Sequence, residues 1–290
     1  MENFGIITEA FVQQFADNFS HIAQQKMSRL ETAVRVEAGI VGMSKSVDAL
    51  GRRSARRRTV RHADTPLNDQ PFSRRFVDLF DWEDGDMIDD QDKIRMLVDP
   101  QSGIVQAMVA GLNRAKDRVI IDALGGAART TIGTIALPPT QRVADGGDGL
   151  TKEKLIFARK LFRQNEADAE AGEELCFAYA ASQLSDLLND ANLTNTEVNT
   201  VLSLMNGEIT KGLLMGFKFI PTELLVRSGN VRQCFAWAKS GAVLGIGQDI
   251  VTKLGEDPGK GFNVRVYARM SLGAVRVEEE KVVRIDCVES

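Results

Sequence analysis

The chain has little of what most catalytic and secreted-protein chemistry requires. Its 290 residues include three cysteines, two histidines, two tryptophans and two tyrosines. Cys176, Cys234 and Cys287 are widely separated, and an odd count without local pairing gives no disulfide framework and suits a reducing compartment. His21 and His62 cannot furnish a His-rich metal centre within one chain. No segment approaches the roughly 18 consecutive apolar residues of a membrane span. The opening MENFGIITEAF lacks the basic region and apolar core of a secretory signal. The phosphate-binding patterns GxGxxG and GxxxxGKS/T are absent, as are GxSxG and CxxC. Gly245 and Gly247 stand close together without the rest of a dinucleotide fingerprint and are expected to serve a turn.

What is present is a foldable chain with segregated charge. Hydrophobic residues make up 43% and charged residues 26%, enough for one large or two modest domains with a sizeable core. The formal charge of -4 comes from 36 basic and 40 acidic residues, but the two signs are not mixed evenly. Residues 50–61, LGRRSARRRTVR, carry Arg52, Arg53, Arg56, Arg57, Arg58 and Arg61 without an acid. Residues 78–92, DLFDWEDGDMIDDQD, carry Asp78, Asp81, Glu83, Asp84, Asp86, Asp89, Asp90 and Asp92 without a base. Three readings stand on charge alone: a basic arm reaching acidic surface on neighbouring copies, a sequence-independent contact with nucleic-acid phosphates, or two solvated loops. The arginine tract has no interleaved aromatics of the kind that stack on bases.

No set of catalytic residues stands out. The density of the 78–92 acids favours ionised surface groups over one carboxylate with a selectively raised pKa. Asp86, Asp89 and Asp90 lack the ligand order of an EF-hand. His62 lies near Asp64 in a turn-rich HADTP segment, where an interface or exposed role is the simpler reading. Ser54, Ser102 and Ser182 have no nucleophile-elbow context. No enzyme activity, cofactor or resident metal is expected.

Periodicity gives a coarse α+β layout. Phe11, Phe15, Phe19, Ile22 and Leu30 predict an amphipathic helix over 9–34. Residues 40–75, punctuated by Gly42, Gly51, Pro66 and Pro71, predict an extended, hairpin-like excursion. A long helix is expected over 100–124, with Asp99 as cap, Pro100 at its first position, and Ile104, Met108, Leu112, Ala115 and Val119 on one face before Gly125 and Gly126. Short strands follow around Thr130–Leu137, then a helix from Lys152 capped by Thr151. NEADAEAGEE is expected to form a solvent-facing bend, with a buried strand at Leu175–Ala180, a helix at Ala181–Leu188 and a strand at Phe217–Ile220. In NVRVYARM, Val264, Val266, Ala268 and Met270 share a face opposite Arg265, Tyr267 and Arg269. A hairpin is expected between Ala274–Val277 and Val282–Val288, burying Val283, Ile285 and Cys287.

The order of these features resembles the major capsid proteins of tailed bacteriophages with the HK97-like fold. RRSARRRTVRHADTPLNDQPFSRRFVDLF follows a polar N-terminal arm. DWEDGDMIDDQDKIRMLVDPQSGIVQAMVAGLNRAKDRVIIDALGG is similar to the acidic approach and long supporting helix. NTVLSLMNGEITKGLLMGFKFIPTELL resembles the apical passage, and KSGAVLGIGQDIVTKLGEDPGKGFNVRVYARMSLGAVRVEEEKVVRIDCVES its return.

The resemblance implies an N-terminal arm at 1–44, an extended loop at 45–77 and a peripheral P-domain at 78–164 with the spine helix. It implies an axial A-domain at about 165–262 and a peripheral return at 263–290. Hexamers and pentamers would build an icosahedral head enclosing double-stranded DNA, with a portal, a separate scaffold and a cement protein as candidate partners. The location implied is the virion, after assembly in the host cytoplasm. Arg52, Arg53, Arg56, Arg57, Arg58 and Arg61 become interface candidates, with Asp81, Glu83, Asp84, Asp86, Asp89, Asp90 and Asp92 opposite them. Some relatives cross-link Lys to Asn with an acid's help, but Lys45, Asn68 and Glu83 do not identify that set, so a non-covalent shell is expected. An encapsulin-like cargo shell and a nucleic-acid-binding module using residues 52–61 are the alternatives.

Overall fold

The structure, a computed structural model, describes residues 24–55, 57, 59, 61, 69, 71–88, 100–168, 172–189 and 213–289. Its first half contains β1 (Arg35–Ala38), β2 (Ser44–Leu50), β3 (Phe72–Asp78), β4 (Phe80–Ile88), helix α1 (Pro100–Gly125), β5 (Ala128–Thr130), β6 (Gly133–Ile135) and β7 (Arg142–Val143). Helix α2 (Lys152–Gln164), β8 (Leu175–Tyr179), α3 (Ala181–Asn189), β9 (Leu213–Leu214), β10 (Phe217–Pro221) and β11 (Arg227–Ser228) follow. The chain ends with β12 (Val231–Ala238), β13 (Ala242–Asp257), β14 (Asn263–Arg276) and β15 (Val282–Val288).

These strands form three sheets, ordered β1-β13-β14-β4, β7-β15-β12-β8-β10-β9 with β11 beside β12, and β2-β3-β5-β6. In the first, β13 and β14 run antiparallel from Ala242↔Arg276 to Asp257↔Asn263. Helix α1 packs on β14, β13 and β4, burying Met108, Leu112, Ile120, Ile121 and Leu124. Its 26 residues span about 39 Å at 1.5 Å per residue. The helix starts at Pro100 and ends at Gly125, as the periodicity predicts; Asp99 lies outside the described residues. The β13–β14 ladder shifts register between Ile246 and Gln248 and again before Val251. Residues 242–246 are buried, while 252–256 are exposed. Bulges bend and twist a ladder, and here they coincide with the exit of β13 from the core, while Val266, Ala268 and Met270 of β14 stay buried.

The seven-stranded sheet holds the other half of the core. All five residues of β8 are buried, as expected for a central strand flanked on both sides. β8 and β10 are parallel, which requires the crossover that includes α3. Phe162 of α2 meets Phe217 edge-on, and Phe177, Phe219 and Tyr179 continue the aromatic row at centroid spacings of 5.0 and 5.5 Å. The Thr151 cap is present, its side chain accepting from Lys154 N at 3.4 Å.

Four expectations are corrected. The helix over 9–34 fails in its described part: residues 24–30 are irregular and Glu31–Ala33 is a single 3-10 turn. The buried Asp117 carboxylate of α1 captures this segment, accepting from Ser28 Oγ at 2.6 Å, Arg29 N at 3.1 Å and Leu30 N at 3.2 Å, and from the Gln25 amide. Amides engaged there cannot serve a helical ladder. The C-terminal hairpin also fails. Arg276 continues β14, whereas β15 joins the other sheet, pairing with β12 and β7. The turn at Glu279–Lys281 carries the chain between sheets, anchored by Val277 N donating to Gly241 O at 2.9 Å. The buried face of Val283, Ile285 and Cys287 is as expected. Gly245 and Gly247 lie inside β13, not in a turn; a Cβ on Gly245 would stand 2.6 Å from Ile40 and 2.8 Å from Val77. Finally, the NEADAEAGEE bend at 165–174 is not wholly solvated, since Ala167 and Asp168 are buried.

Replacing Asp117 with Ala orphans several buried donors and is expected to destabilise the subunit by about 2–4 kcal/mol. Hydrogen exchange should show residues 24–33 losing protection while α1 keeps its own; equal loss in both would contradict the clasp.

Candidate functional site

β2 and β3 form the hairpin that the punctuation of residues 40–75 predicts. Their register runs from Ser44↔Asp78 to Leu50↔Phe72, and Gly51 N extends it to Pro71 O at 2.8 Å. The two ends of the hairpin differ. At its root, Val47 and Val77 join Ala128, Val243, Val275 and Val277 in a separate small core. Arg75 is buried there and donates to both oxygens of Glu279 at 3.0 Å. Glu279 also faces the fully buried Arg276, 3.7 Å away, whose guanidinium donates to the carbonyls of Leu124, Gly126 and Ile135. Gly273 allows a close backbone approach here: a Cβ there would lie 1.8 Å from Asp78 O. At the far end, Leu50 and Phe72 are 68% and 73% exposed.

The basic tract continues from this exposed end. Arg52 donates to Asn165 O and sits 3.7 Å from Glu166, beside the C-terminus of α2. Arg53, Arg57 and Arg61 are exposed; Arg56 and Arg58 lie outside the described residues. On the hairpin itself, Arg74 forks onto Asp48 at 2.6 and 2.9 Å. That hydrogen bond lowers the Asp48 carboxyl and raises Arg74 from their ordinary values, but an exposed pair of this kind contributes little stability.

The middle of the acidic tract, Phe80–Ile88, is a strand, which its charge pattern does not suggest. Asp81, Glu83, Asp84 and Asp86 all lie on β4, whose residues are exposed except Ile88. β4 ends its sheet, pairing with β14 from Phe80↔Leu272 to Ile88↔Val264. Alternation divides the acids between the faces: Asp84 lies against α1 near Gly111, whereas Glu83 accepts from Tyr267 OH at 2.7 Å on the opposite face. That bond raises the Tyr267 phenol above its ordinary value. Asp86 accepts from Met87 N. Asp89, Asp90 and Asp92 lie outside the described residues. The structure thus places Arg52 against the end of α2, not against β4.

The other polar groups are structural. Burial pushes the Cys176 thiol up to about 12. A hydrogen bond to Cys287, with burial, raises Cys234 well above its ordinary value. Thiols so protonated pack as apolar groups and make poor nucleophiles. Lys45 pairs with Glu37 at 2.6 Å, not with Glu83; Asn68, His21 and His62 lie outside the described residues. Among the described residues no group of three or more His, Cys, Asp or Glu is placed to hold a metal ion, and no helix is long and apolar enough to cross a membrane.

Sequence patterns give no sign of the buried Glu289 cluster. Its carboxylate accepts from Arg232 at 2.8 and 3.2 Å, Ser182 at 3.0 Å and Gln183 at 3.1 Å. The Arg232 bonds, with help from Gln183 and Ser182, push its pKa down to about 2.

Residues 7–289 match the family described as phage capsid protein. The chain belongs to that family. Among solved structures, the capsid of Ralstonia phage GP4 is similar over 96% of this chain and 95% of its own, with a TM-score of 0.74 and 11% identity. The cyanophage Pam1 capsid covers 99% of both chains at TM-score 0.71 and 13% identity. A Mycobacterium phage Che8 chain covers 94% of this chain and 96% of its own, at TM-score 0.70 and 13% identity. No curated protein sequence matches the chain. The α+β architecture of this capsid protein is the HK97-like fold that its ordered sequence features resemble.

For the capsid protein's acid stability, the sign follows from Glu289. Its pKa is depressed on folding from an ordinary 4.5 to about 2. Its contribution is therefore full above about pH 5 and lost as pH falls towards 2. Glu289→Gln should lower subunit stability at pH 7 and flatten the acid limb between those values. Denaturant unfolding across the pH series checks this; an unchanged limb would contradict it.

Proposed function

We propose that the chain is the major structural subunit of an icosahedral phage head, assembling as hexamers and pentamers around double-stranded DNA. The observation that carries this reading is the hairpin β2–β3. It is anchored at its root, carries Leu50 and Phe72 exposed at its far end and leads into the arginine tract. A monomer gains little from holding large apolar groups in water beside a concentrated positive charge. A neighbouring copy can cover the apolar end and supply acids, as β4 does with Asp81, Glu83, Asp84 and Asp86.

In this reading residues 1–44 are the N-terminal arm, 45–77 the extended loop, and 78–164 the peripheral domain with α1 as spine. Residues 165–262 form the axial domain, its last strand β13 shared with the peripheral sheet, and 263–290 complete the peripheral domain. Each copy holds several neighbours through individually weak contacts, so release requires breaking more than one at once. Closed symmetry sets the size of the assembly and prevents open polymers. The shell is held non-covalently; a portal and a separate scaffold act during assembly, and a cement protein is a candidate addition to the particle.

Reversing charge at Arg56, Arg57 and Arg58 together to Glu is expected to abolish most shell formation while leaving the subunit's fold intact. Circular dichroism and electron microscopy of the products measure the two separately. Normal particles from the reversed chain would remove the arginine tract from the assembly contacts. Intact-mass measurement of denatured particles should return the single-chain mass; covalent multimers would contradict a non-covalent shell.

A further inference from the structure

An open groove of about 770 Å³ lies between α2 and the Met215–Gly216 turn. Arg159, Lys160 and Arg163 line it, together with Ile156 and Met215. The turn is tight, with Met215 and Gly216 at φ 53° and 79°. Arg159 lies so close to Gly216 that a Cβ there would stand 1.6 Å from its guanidinium. Arg159 donates to Met215 O, fixing one wall to the other. Arg163 is steadied by the buried Asp168 at 3.6 Å. Lys160 projects over the Phe157 ring, 5.9 Å from its centroid. Ile156 and Phe157 remain 51% and 44% exposed beside these cations. Arg52, docked at Asn165 and Glu166, brings the start of the arginine tract to the same end of α2.

We propose that this groove receives the acidic edge strand β4 of a second copy of the chain. The inference rests on the shell reading and adds a second basic counterpart for β4, distinct from residues 52–61. The chemistry of the two surfaces matches. On one face of β4, Phe80 and Trp82 lie with Asp84 and Asp86, and on the other Met87 lies with Asp81 and Glu83; Phe80, Trp82 and Met87 are 62%, 38% and 37% exposed. The groove interleaves its cations with apolar side chains in the same way. Charge alone would suit a phosphate backbone equally well, but phosphates leave Ile156, Phe157 and Met215 uncovered. An acidic strand bearing aromatic side chains satisfies both halves of the surface, and apolar anchors among steering charges are typical of specific protein interfaces. β4 is also an end strand of its sheet, and exposed edges of this kind are ready to be covered by another chain.

Particles assembled from an equal mixture of unlabelled and 15N-labelled chains, treated with a zero-length carbodiimide, test the contact directly. Lys160 should be found in amide linkage with Asp81, Glu83, Asp84 or Asp86, in mixed-isotope pairs. Lys160→Glu should lower particle yield about tenfold, as loss of a close interfacial charge pair does, and adding Glu83→Lys in the same chain should restore it. Particles from Lys160→Glu that form normally but hold less nuclease-resistant DNA would overturn the proposal in favour of a polyanion site. Cross-links from Lys160 only within one chain would also overturn it. If the unsubstituted chain closes no particles, the shell reading falls; a mixed-isotope link from Lys160 to β4 in open oligomers would still uphold the groove's occupant, and its absence would refute it.

Discussion

The antiparallel pairing of β13 with β14 is the constraint on which the other parts depend. β14 keeps a buried face along most of its length, whereas β13 is longer than the core that covers it. The inner half of β13 is buried and its outer half runs beyond the bulges at Ile246–Val251 into solvent, while β14 keeps Val266, Ala268 and Met270 buried opposite that outer half. β1 and β4 take the two free edges of this ribbon. The inner end also supplies Arg276 and Gly273, against which the hairpin root is seated. The position of the hairpin, the exposure of β4 and the path from β14 to β15 are therefore consequences of one ladder.

Charge has opposite uses inside and outside this framework. Buried ions are few and tightly engaged: Asp117 holds residues 25–30, Lys116 reaches Glu31 and Asp249 at 3.1 and 3.2 Å, and Arg75 shares Glu279 with Arg276. Each joins segments distant in sequence, where removing one partner would strand a desolvated charge. The exposed arginines and the β4 acids contribute little to holding the subunit together. In the shell we propose, they orient contacts with neighbouring copies. Separation of sign along the sequence thus becomes separation of surfaces in space.

The parts of this design governed by local rules were legible before the fold was seen. Pro100, the apolar positions from Ile104 to Val119 and the terminal glycines define α1. Thr151 marks the start of α2, and alternation in NVRVYARM identifies the inner face of β14. What escaped was governed by contacts far apart in the chain. Nothing near Ser28 or Leu30 announces that Asp117 will take their donors, so the apolar spacing there suggests a helix. Nothing at Glu279–Lys281 reveals that the chain changes sheets, because a turn between two apolar strands has the same local pattern in either case. β4 was hidden for another reason: its acids mask an alternation that becomes meaningful only once β14 lies beside it. For the candidate site, the charged residues themselves were evident, whereas the groove on α2 depends on a turn more than fifty residues away.

The seating of the hairpin has a geometric consequence. Its seven-residue strands act as a lever of roughly 23 Å at 3.3 Å per residue. With Gly273 lying against the Asp78 carbonyl, a bulkier side chain would wedge the fulcrum open and swing the tip by more than the wedge itself. In the closed shell we propose, where this hairpin meets neighbouring copies, such an angular error would recur at every joint, and curvature would be only as accurate as that one missing methyl group allows.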